Sequence, residues 1–381
     1  MNHRPLLGRR VWNTVALGPT VHLEKRSSLL IVGPTQSGKT SSLVVPAILN
    51  WRGAVVVTSV KSDVVQATRE WRSTLGNVEL LQPGHEGGFT WNPLEGVHSL
   101  RHALRVARDL TSGSSSRGDT DFWNALATKL VGALLMLALE NSSDIFDVAM
   151  MVENRSFNRW LHEKSTSEAS QVVRSFLEHD ARTLDGVLTT AETMVLPWRF
   201  RQPLARVRDV LAGANTLYLC SPRGEQQHYE ALFRGSLRMV LEEQQERFDR
   251  GVHTPLLMVL DEAATVGSLE ELDQMAATVS GLDVTLVTIV QDFSQLSSRW
   301  GARASTIVNN HSTRMVLSGL ADPTVSKFLP ELVDSTSDAK STPIRLLPAG
   351  TAFVVAGRRP VFTVRLKPWW RRRHLRQRGT A

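Results

Sequence analysis

The chain has 381 residues, of which 42% are hydrophobic and 21% are charged, proportions typical of folded globular proteins and not of disordered or fibrous ones. The longest apolar run, residues 130–139, is well short of the ~20 residues that a bilayer-spanning helix needs, so no transmembrane segment is predicted. Cys220 is the single cysteine, which excludes an internal disulfide and a cysteine-cluster metal site. We expect it to be a small buried core residue.

Predicted strands and helices alternate along most of the chain. Between about residues 99 and 184 the strand pattern is absent and the periodicity is helical, so we expect an all-α domain to interrupt a sheet domain. The alternation elsewhere predicts an α/β fold with a mainly parallel sheet. The apolar runs predicted as strands are residues 29–32, 54–58, 78–81, 216–220, 256–260, 284–290, 314–318 and 351–355.

A glycine-bounded loop follows the first of these strands, in the stretch IVGPTQSGKTSSLVVPAIL at residues 31–49. The loop matches the Walker A pattern GxxxxGK[ST], in which glycines let successive backbone N–H groups point into a concavity that suits phosphate oxygens. The alternative is a glycine turn that binds no ligand. The residues predicted to bind the phosphates of ATP are Gly33, Pro34, Thr35, Gln36, Ser37, Gly38, Lys39, Thr40 and Ser41.

A carboxylate partner for this loop is predicted where the apolar run 256–260 ends in Asp261 and Glu262, as a Walker B strand does. Asp261 would hold Mg²⁺ together with the Thr40 hydroxyl, while Lys39 would reach the β- and γ-phosphates. Glu262 would polarise the attacking water. The alternative is an apolar strand that happens to end in two acids.

A second polar strand end lies at Gln291, after the run 284–290. Its side-chain amide could sense the γ-phosphate or orient water. A polar residue at a strand end is also often only solvated, so both interpretations of Gln291 stand at this point.

Seven segments, in order along the chain, carry a family resemblance. The chain resembles the TraG/TraD-type (VirD-like) coupling proteins of conjugation and type IV secretion, hexameric motor ATPases related to the FtsK and HerA translocases. Ser59 departs from the pattern, because relatives commonly carry Asp there, and no catalytic role is assigned to its segment. The seven segments are GPTQSGKT (33–40), VVVTSVKSDVV (55–65), FTWNPLEG (89–96), DFWNALA (121–127), YLCSP (218–222), LDEAATVG (260–267) and QDFSQLSSRWG (291–301).

The resemblance implies a RecA-like P-loop NTPase sheet domain interrupted by an all-α domain. The sheet domain would comprise residues 1–98 and 185–368, and the all-α domain residues 99–184. The resemblance further implies a homo-hexameric ring that passes single-stranded DNA or a relaxase–DNA complex to secretion-channel proteins. In such a ring, Arg314 is the candidate for the arginine that each subunit supplies to its neighbour's site. The alternative is an arginine that is simply solvated at a strand end.

The family usually has N-terminal transmembrane helices, whereas this chain begins shortly before the Walker A loop. Its N-terminal residues also lack an apolar stretch of signal-peptide length. We therefore expect a cytoplasmic protein, with peripheral contact at the inner face of the cell membrane as an alternative.

The excess positive charge lies at the C-terminal end, where residues 365–381 hold seven Lys or Arg residues and no acid. We expect residues 369–381 to form a basic tail. It could bind DNA phosphates while Trp369 and Trp370 stack on bases, dock on anionic lipid, or remain solvated without a ligand.

Two functions from different classes fit these observations. The first is an ATP-hydrolysing coupling protein that drives DNA, nucleoprotein or protein into a secretion or conjugation channel. The second is a nucleotide-gated receptor for secreted proteins that has no DNA motor activity. A small-molecule kinase would also use a P-loop, but it leaves the WNPL and QDFSQL segments unexplained.

Overall fold

The computed structural model of the protein describes residues 4–12, 16–24, 26–60, 62–85, 88–111, 119–161, 166–221, 224–265, 272–330 and 344–379. The chain forms two compact units. Unit 1 comprises Met1–Leu80, Arg208–Arg223 and Val240–Ala381, and unit 2 comprises Leu81–Val207 and Gly224–Met239. Unit 2 therefore extends on both sides of the segment 99–184 that the sequence indicates as helical.

The strands are β1 (Leu6–Trp12), β2 (Ala16–His22), β3 (Ser28–Val32), β4 (Ala54–Ser59), β5 (Val78–Leu81), β6 (Thr90–Trp91), β7 (Leu204–Ala205), β8 (Thr216–Cys220), β9 (Leu256–Leu260), β10 (Val284–Val290), β11 (Thr313–Leu317), β12 (Thr351–Ala356) and β13 (Phe362–Arg365). Within the described residues, the main sheet has 11 strands in the order β2-β1-β13-β12-β11-β3-β10-β9-β4-β8-β5. The strands from β11 to β8 in this order run parallel, and those from β2 to β11 pair antiparallel.

The helices are α1 (Val45–Asn50), α2 (Asp63–Ser73), α3 (Leu100–Leu110), α4 (Asp119–Glu140), α5 (Ile145–Asn154), α6 (Glu168–Leu177), α7 (Ala181–Val195), α8 (Gln226–Asp249), α9 (Leu272–Thr278), α10 (Phe293–Trp300), α11 (Ala304–Asn310), α12 (Val325–Phe328) and α13 (Arg373–Arg376). A π-helical turn, Thr40–Val44, leads directly into α1. Turns of 3₁₀ helix lie at Phe157–Arg159, Leu196–Trp198, Val207–Leu211, Val279–Leu282, Gly301–Arg303, Ile344–Leu346 and Trp369–Arg371.

The central strands of the sheet are buried along their whole length. Every residue of β3, β4, β9 and β10 is buried, as expected of parallel strands that are covered on both faces. The eight predicted strands are all present, with ends within one residue of the prediction, so the predicted α/β fold is confirmed. The sequence did not predict β1, β2 and β13, which form the antiparallel edge of the sheet.

In unit 2, the long apolar helix α4 packs against α3, α5, α6 and α7. By length and composition its segment Asp121–Glu140 could also cross a membrane, and half of that segment is buried inside the protein. The core helix of a globular domain passes the same test, because it too must be apolar around most of its circumference.

The WNPL motif forms a turn in unit 2. Trp91 is fully buried, and the Nε1 of Trp198 donates a hydrogen bond of 2.7 Å to its carbonyl oxygen. The Oδ1 of Asn92 accepts a hydrogen bond of 3.1 Å from the backbone N–H of Leu94, which closes the turn. These contacts give the motif a structural role in holding unit 2 together.

The C-terminal segment packs on unit 1. Trp369 is only 5% exposed, and together with Leu375 it forms an apolar cluster with Val45, Leu49 and Ala67 from helices α1 and α2. The expectation that Trp369 offers its ring to nucleic-acid bases is therefore wrong, because that ring is used in the core. Burial removes the large apolar surface of the indole from water, which stabilises the packing of the C-terminal segment on unit 1.

Two of the C-terminal arginines also bind helix α1 and the turn before it. Arg372 donates a hydrogen bond of 3.2 Å to the carbonyl oxygen of Ser42, and burial lowers the pKa of its guanidinium to about 10. Arg378 donates to the carbonyl oxygen of Leu49 (3.3 Å) and lies 4.8 Å from the ring centroid of Trp71. Arg378 thus satisfies a carbonyl group at the C-terminus of α1, where positive charge is favourable, while Arg372 binds the turn that leads into the helix.

Candidate nucleotide-binding site

Three parallel strands of unit 1 end side by side. Strand β10 lies between β3 and β9, and its last residue, Val290, pairs with Val32 at the end of β3. The residues that follow these three strands are Gly33, Gln291 and Asp261. They lie close together because the carboxyl ends of parallel strands share one edge of a sheet, the usual place for a ligand in this type of fold.

The loop after β3 has the backbone that a phosphate-binding loop requires. Gln36 and Gly38 have φ values of 62° and 87°, in the left-handed region that turns successive N–H groups toward one point. Gly33 leaves β3 in close contact with the neighbouring strand, and a Cβ added there would lie 2.8 Å from the Cβ of Leu317. A side chain at position 33 would therefore displace strand β11 or the loop.

The Lys39 ammonium folds back onto the start of its own loop. Its Nζ donates hydrogen bonds to the carbonyl oxygens of Gly33 (2.5 Å) and Pro34 (2.7 Å), and the Oγ of Ser37 also donates to Pro34 (2.7 Å). Thr40 then begins the π-helical turn that continues as α1. The loop thus combines a cation, hydroxyl side chains and the N-terminal end of a helical segment, all of which favour an anion.

The carboxylates after β9 sit in a constrained turn. Asp261 is only 5% exposed, and its N–H donates a hydrogen bond of 3.2 Å to the carbonyl oxygen of Thr58. Glu262 has a φ of 55°, a left-handed conformation that costs a residue with a Cβ about 1 kcal/mol. The N–H of Ala263 then bonds to the carbonyl oxygen of Ile289 (3.0 Å), which ties the turn to β10. Strained residues of this kind are concentrated at functional sites.

Gln291 is held by the helix that follows it. Its N–H donates to the Oε1 of Gln295 (3.0 Å), while the Oδ1 of Asp292 caps helix α10 by accepting from the N–H of Gln295 (2.7 Å). The Oδ2 of Asp322 accepts a further hydrogen bond, of 2.7 Å, from the N–H of Phe293. The QDFSQL segment thus fixes the backbone at Gln291.

A cavity of about 540 Å³ in unit 1 brings these residues together. Its wall also contains Asp63 and Gln66 of helix α2 and Trp369 and Trp370 of the C-terminal segment, none of which the sequence analysis assigned to the site. Asp63 could have been found, since it lies in the VKSDVV segment that carried part of the family resemblance; Lys61 of that segment lies outside the described residues. The predicted residues in the wall are Thr35, Gln36, Ser37, Gly38, Lys39, Thr40, Ser41, Asp261, Glu262 and Gln291.

The oxygen atoms in this wall suit a magnesium ion. The Thr40 hydroxyl and the Asp261 carboxylate line the same cavity, and Mg²⁺ prefers hard oxygen ligands of this type.

Arg314 lies on β11, where it pairs with Leu30 of β3, and its side chain is half-buried. It does not appear among the described residues that line the cavity. An arginine that serves a neighbouring subunit would lie outside its own subunit's site, so the role of Arg314 stays a prediction.

Cys220, at the end of β8, is buried as predicted. Burial raises the pKa of its thiol to about 12, so it is protonated at neutral pH and unsuited to nucleophilic chemistry.

The central parallel strands carry a Walker A loop after β3, carboxylates after β9 and a polar residue after β10, which lies between them. This arrangement defines a RecA-like P-loop NTPase. One family model, described as "Type IV secretory system Conjugative DNA transfer", matches residues 11–195, and another, described as "TraM recognition site of TraD and TraG", matches residues 255–342. The chain belongs to the TraG/VirD4-type family of coupling proteins.

Individual relatives agree with this assignment. The chain is 23% identical over 313 residues to the conjugal transfer protein TraG of Escherichia coli, covering 71% of this chain and 49% of TraG. It is 22% identical over 345 residues to VirD4 of Rhizobium rhizogenes, covering 82% of this chain and 50% of VirD4. The chain thus spans about half the length of these curated relatives.

Among solved structures, a form of the bacterial conjugative coupling protein TrwB designated TrwBdeltaN70 superposes with a TM-score of 0.70 at 17% identity, covering 90% of this chain and 85% of that TrwBdeltaN70 chain. TrwB has also been solved with the non-hydrolysable ATP analogue ADPNP and with ADP and Mg²⁺. At this level of identity the superposition establishes the RecA-like fold.

Proposed function

We propose that this protein is an ATP-hydrolysing coupling protein that drives DNA or nucleoprotein into a type IV secretion or conjugation channel. The observation that carries the proposal is the cavity in which the Walker A loop, Asp261, Glu262 and Gln291 meet, in a chain whose family model describes conjugative DNA transfer. Nucleotide-bound TrwB supports ATP and Mg²⁺ as the ligands of this cavity.

In this proposal each side chain has a separate task. The Lys39 ammonium leaves the loop carbonyls and binds oxygens of the β- and γ-phosphates. Glu262 accepts a hydrogen bond from the attacking water and takes its proton as the oxygen–phosphorus bond forms. The bond between the γ-phosphorus and the bridging oxygen breaks, which yields ADP and phosphate. Gln291 donates its amide N–H to the γ-phosphate or to that water and so distinguishes ATP from ADP.

Asp261 and Thr40 would hold the magnesium ion, which when bound neutralises charge on the β- and γ-phosphate oxygens. The buried position of Asp261 keeps its carboxylate fixed for this purpose. The rigid turn around Glu262 likewise limits the positions that its carboxylate can take.

The assembly that we propose is a homo-hexameric ring in which Arg314 enters the site of the adjacent subunit. Its partners would be single-stranded DNA or a relaxase–DNA complex, and secretion-channel proteins at the inner face of the cell membrane. The names of the TraG, VirD4 and TrwB relatives support this setting.

The test is ATP hydrolysis by the purified chain with and without single-stranded DNA, together with its mass in solution. We expect DNA to increase the rate, and Glu262→Gln, measured under the same conditions, to remove both the basal and the stimulated rate. A chain that hydrolyses ATP in large assemblies but never responds to DNA would contradict the motor function.

A second candidate function is a nucleotide-gated receptor for a protein partner. The observation that favours it is the match of residues 255–342 to a family model described as a TraM recognition site. A receptor should bind its protein partner with an affinity that depends on the bound nucleotide, while its hydrolysis rate stays low and independent of DNA. The same hydrolysis measurement therefore separates the two functions.

A further inference from the structure

The wall of the nucleotide cavity has a polar part and an apolar part. The polar part holds the Walker A loop, the two carboxylates and Gln291. The apolar part holds Val45 and Ala67 from the helices and Trp369 and Trp370 from the C-terminal segment. A ligand that fits both parts carries phosphates at one end and a flat, weakly polar group at the other.

Trp369 holds the C-terminal segment in place at this wall. It is buried in the cluster with Val45, Leu49, Ala67 and Leu375. A Cβ added to Gly379 would lie 2.5 Å from its ring, so the chain closes tightly over the indole. The hydrogen bonds of Arg372 and Arg378 to carbonyl groups of helix α1 and its preceding turn fix the same segment.

Trp370 differs sharply from its neighbour. Its side chain is 46% exposed, and its ring lies at 82° to that of Trp369 with the centroids 5.8 Å apart. An edge-to-face contact of this kind stabilises an aromatic ring while leaving one of its faces available. Trp370 thus presents an indole surface on a fixed segment in the wall of the cavity.

We propose that Trp370 is the base-stacking residue of the nucleotide site, and that the base which it binds is a purine. This inference rests on the proposed nucleotide binding and adds the part of the site that recognises the base. Stacking depends on the area of the π-face and is tolerant of substituents, so adenine and guanine should be accepted about equally. A pyrimidine offers a smaller face and should bind more weakly.

The test compares wild type, Trp370→Ala and Trp370→Phe for binding of ATP, GTP, CTP and inorganic tripolyphosphate in the presence of Mg²⁺. Tripolyphosphate has the phosphate chain that the Walker A loop would bind but no base. The matched control is Phe200→Ala, which removes an aromatic ring that is 74% exposed in unit 2.

We expect Trp370→Ala to weaken ATP and GTP binding by about 5- to 100-fold, the range typical of losing one stacked aromatic ring. Tripolyphosphate binding should stay unchanged, Trp370→Phe should keep most of the affinity for ATP, and Phe200→Ala should match wild type for every ligand. Wild type should bind CTP less tightly than ATP, and Trp370→Ala should lose that preference.

Unchanged ATP affinity in Trp370→Ala would overturn the stacking role while leaving nucleotide binding intact. An equal loss of ATP and tripolyphosphate binding would also overturn it, because the residue would then act on the phosphate loop. If wild type binds neither ATP nor tripolyphosphate, the proposed function itself fails, and the inference falls with it.

Discussion

Replacing Trp369 by alanine should loosen the first helix of the nucleotide site, even though Trp369 belongs to the C-terminal segment. Its ring packs on Val45 and Leu49, which lie on α1 directly after the Walker A loop. Removing the ring takes apolar contacts from α1 and also releases the segment that carries Arg372 and Arg378.

The size of the effect follows from the burial of the ring. A tryptophan side chain buries roughly 150–250 Å², and Trp369 is only 5% exposed. At about 25 cal/mol per Å² this gives a gross loss of about 4–6 kcal/mol. Partial collapse of the cavity and residual burial in the unfolded chain reduce it to about 3–5 kcal/mol, the usual range for tryptophan-to-alanine changes in cores.

Hydrogen exchange at the amides of α1 is the appropriate assay, because it reports the free energy of local opening. A loss of about 3 kcal/mol corresponds to exchange that is faster by roughly 100-fold. Trp370→Ala is the matched control, since Trp370 is half exposed and is not among the described members of the apolar cluster on α1, so its removal should leave α1 exchange close to that of wild type. Wild-type exchange at α1 in Trp369→Ala would refute the packing argument.

Three further predictions concern the site and the sheet. Lys39→Ala should lose ATP affinity, whereas Glu262→Gln should bind ATP normally and hydrolyse it about 100- to 10,000-fold more slowly; equilibrium binding and single-turnover hydrolysis measure the two effects. Arg314→Ala subunits mixed with Lys39→Ala subunits should recover hydrolysis at hybrid interfaces, which ATPase activity against mixing ratio detects, because an arginine supplied in trans restores transition-state stabilisation. Burial lowers the pKa of His311 to about 4 from 6.5, so as the pH falls from 7 to 4 the unfolded chain takes up a proton that the folded chain largely does not. The free energy of unfolding of wild type should therefore fall by about 3 kcal/mol more than that of His311→Asn, which urea midpoints measured against pH would show.

Each of these predictions has a clear contrary result. Near-normal single-turnover hydrolysis in Glu262→Gln would remove it from the mechanism. A lack of recovery in mixed rings whose composition is verified by mass would count against Arg314. Parallel stability profiles for wild type and His311→Asn between pH 7 and pH 4 would show that this histidine is protonated in the folded protein.

The central half of the fold could be predicted because its strands are locally apolar. Strand β10, for example, is buried at all seven positions, and its hydrophobic run is visible without any knowledge of its neighbours. The antiparallel edge could not be predicted in this way. Strand β1 contains Gly8, Arg9 and Arg10, and Arg9 pairs with Arg365, a partner more than 350 residues away in sequence. Strand β1 also pairs with β2, its neighbour in sequence, but its attachment to the main sheet depends on that distant pairing, for which the sequence has no local pattern.

The same distinction holds for the site. The Walker A loop and the Asp261–Glu262 pair were predicted from spacing, because phosphate and metal binding require particular residues at particular positions. The contribution of Trp370 to the cavity could not be predicted, since it depends on Trp369 packing against helices α1 and α2. From the sequence alone, Arg372 and Arg378 indicated a basic tail. Their hydrogen-bond partners are backbone carbonyl groups, which every residue carries, so the sequence gives no sign of these contacts.

The left-handed backbone at Glu262 sets fold stability against the catalytic role that we propose for this residue. A glycine there would relieve about 1 kcal/mol of conformational strain, so Glu262→Gly should be the more stable protein, although it would lack the carboxylate that we propose activates water. Mutational drift that follows folding alone would therefore remove this carboxylate. Under the role that we propose, keeping glutamate at this position costs stability, and selection for turnover would have to offset that cost.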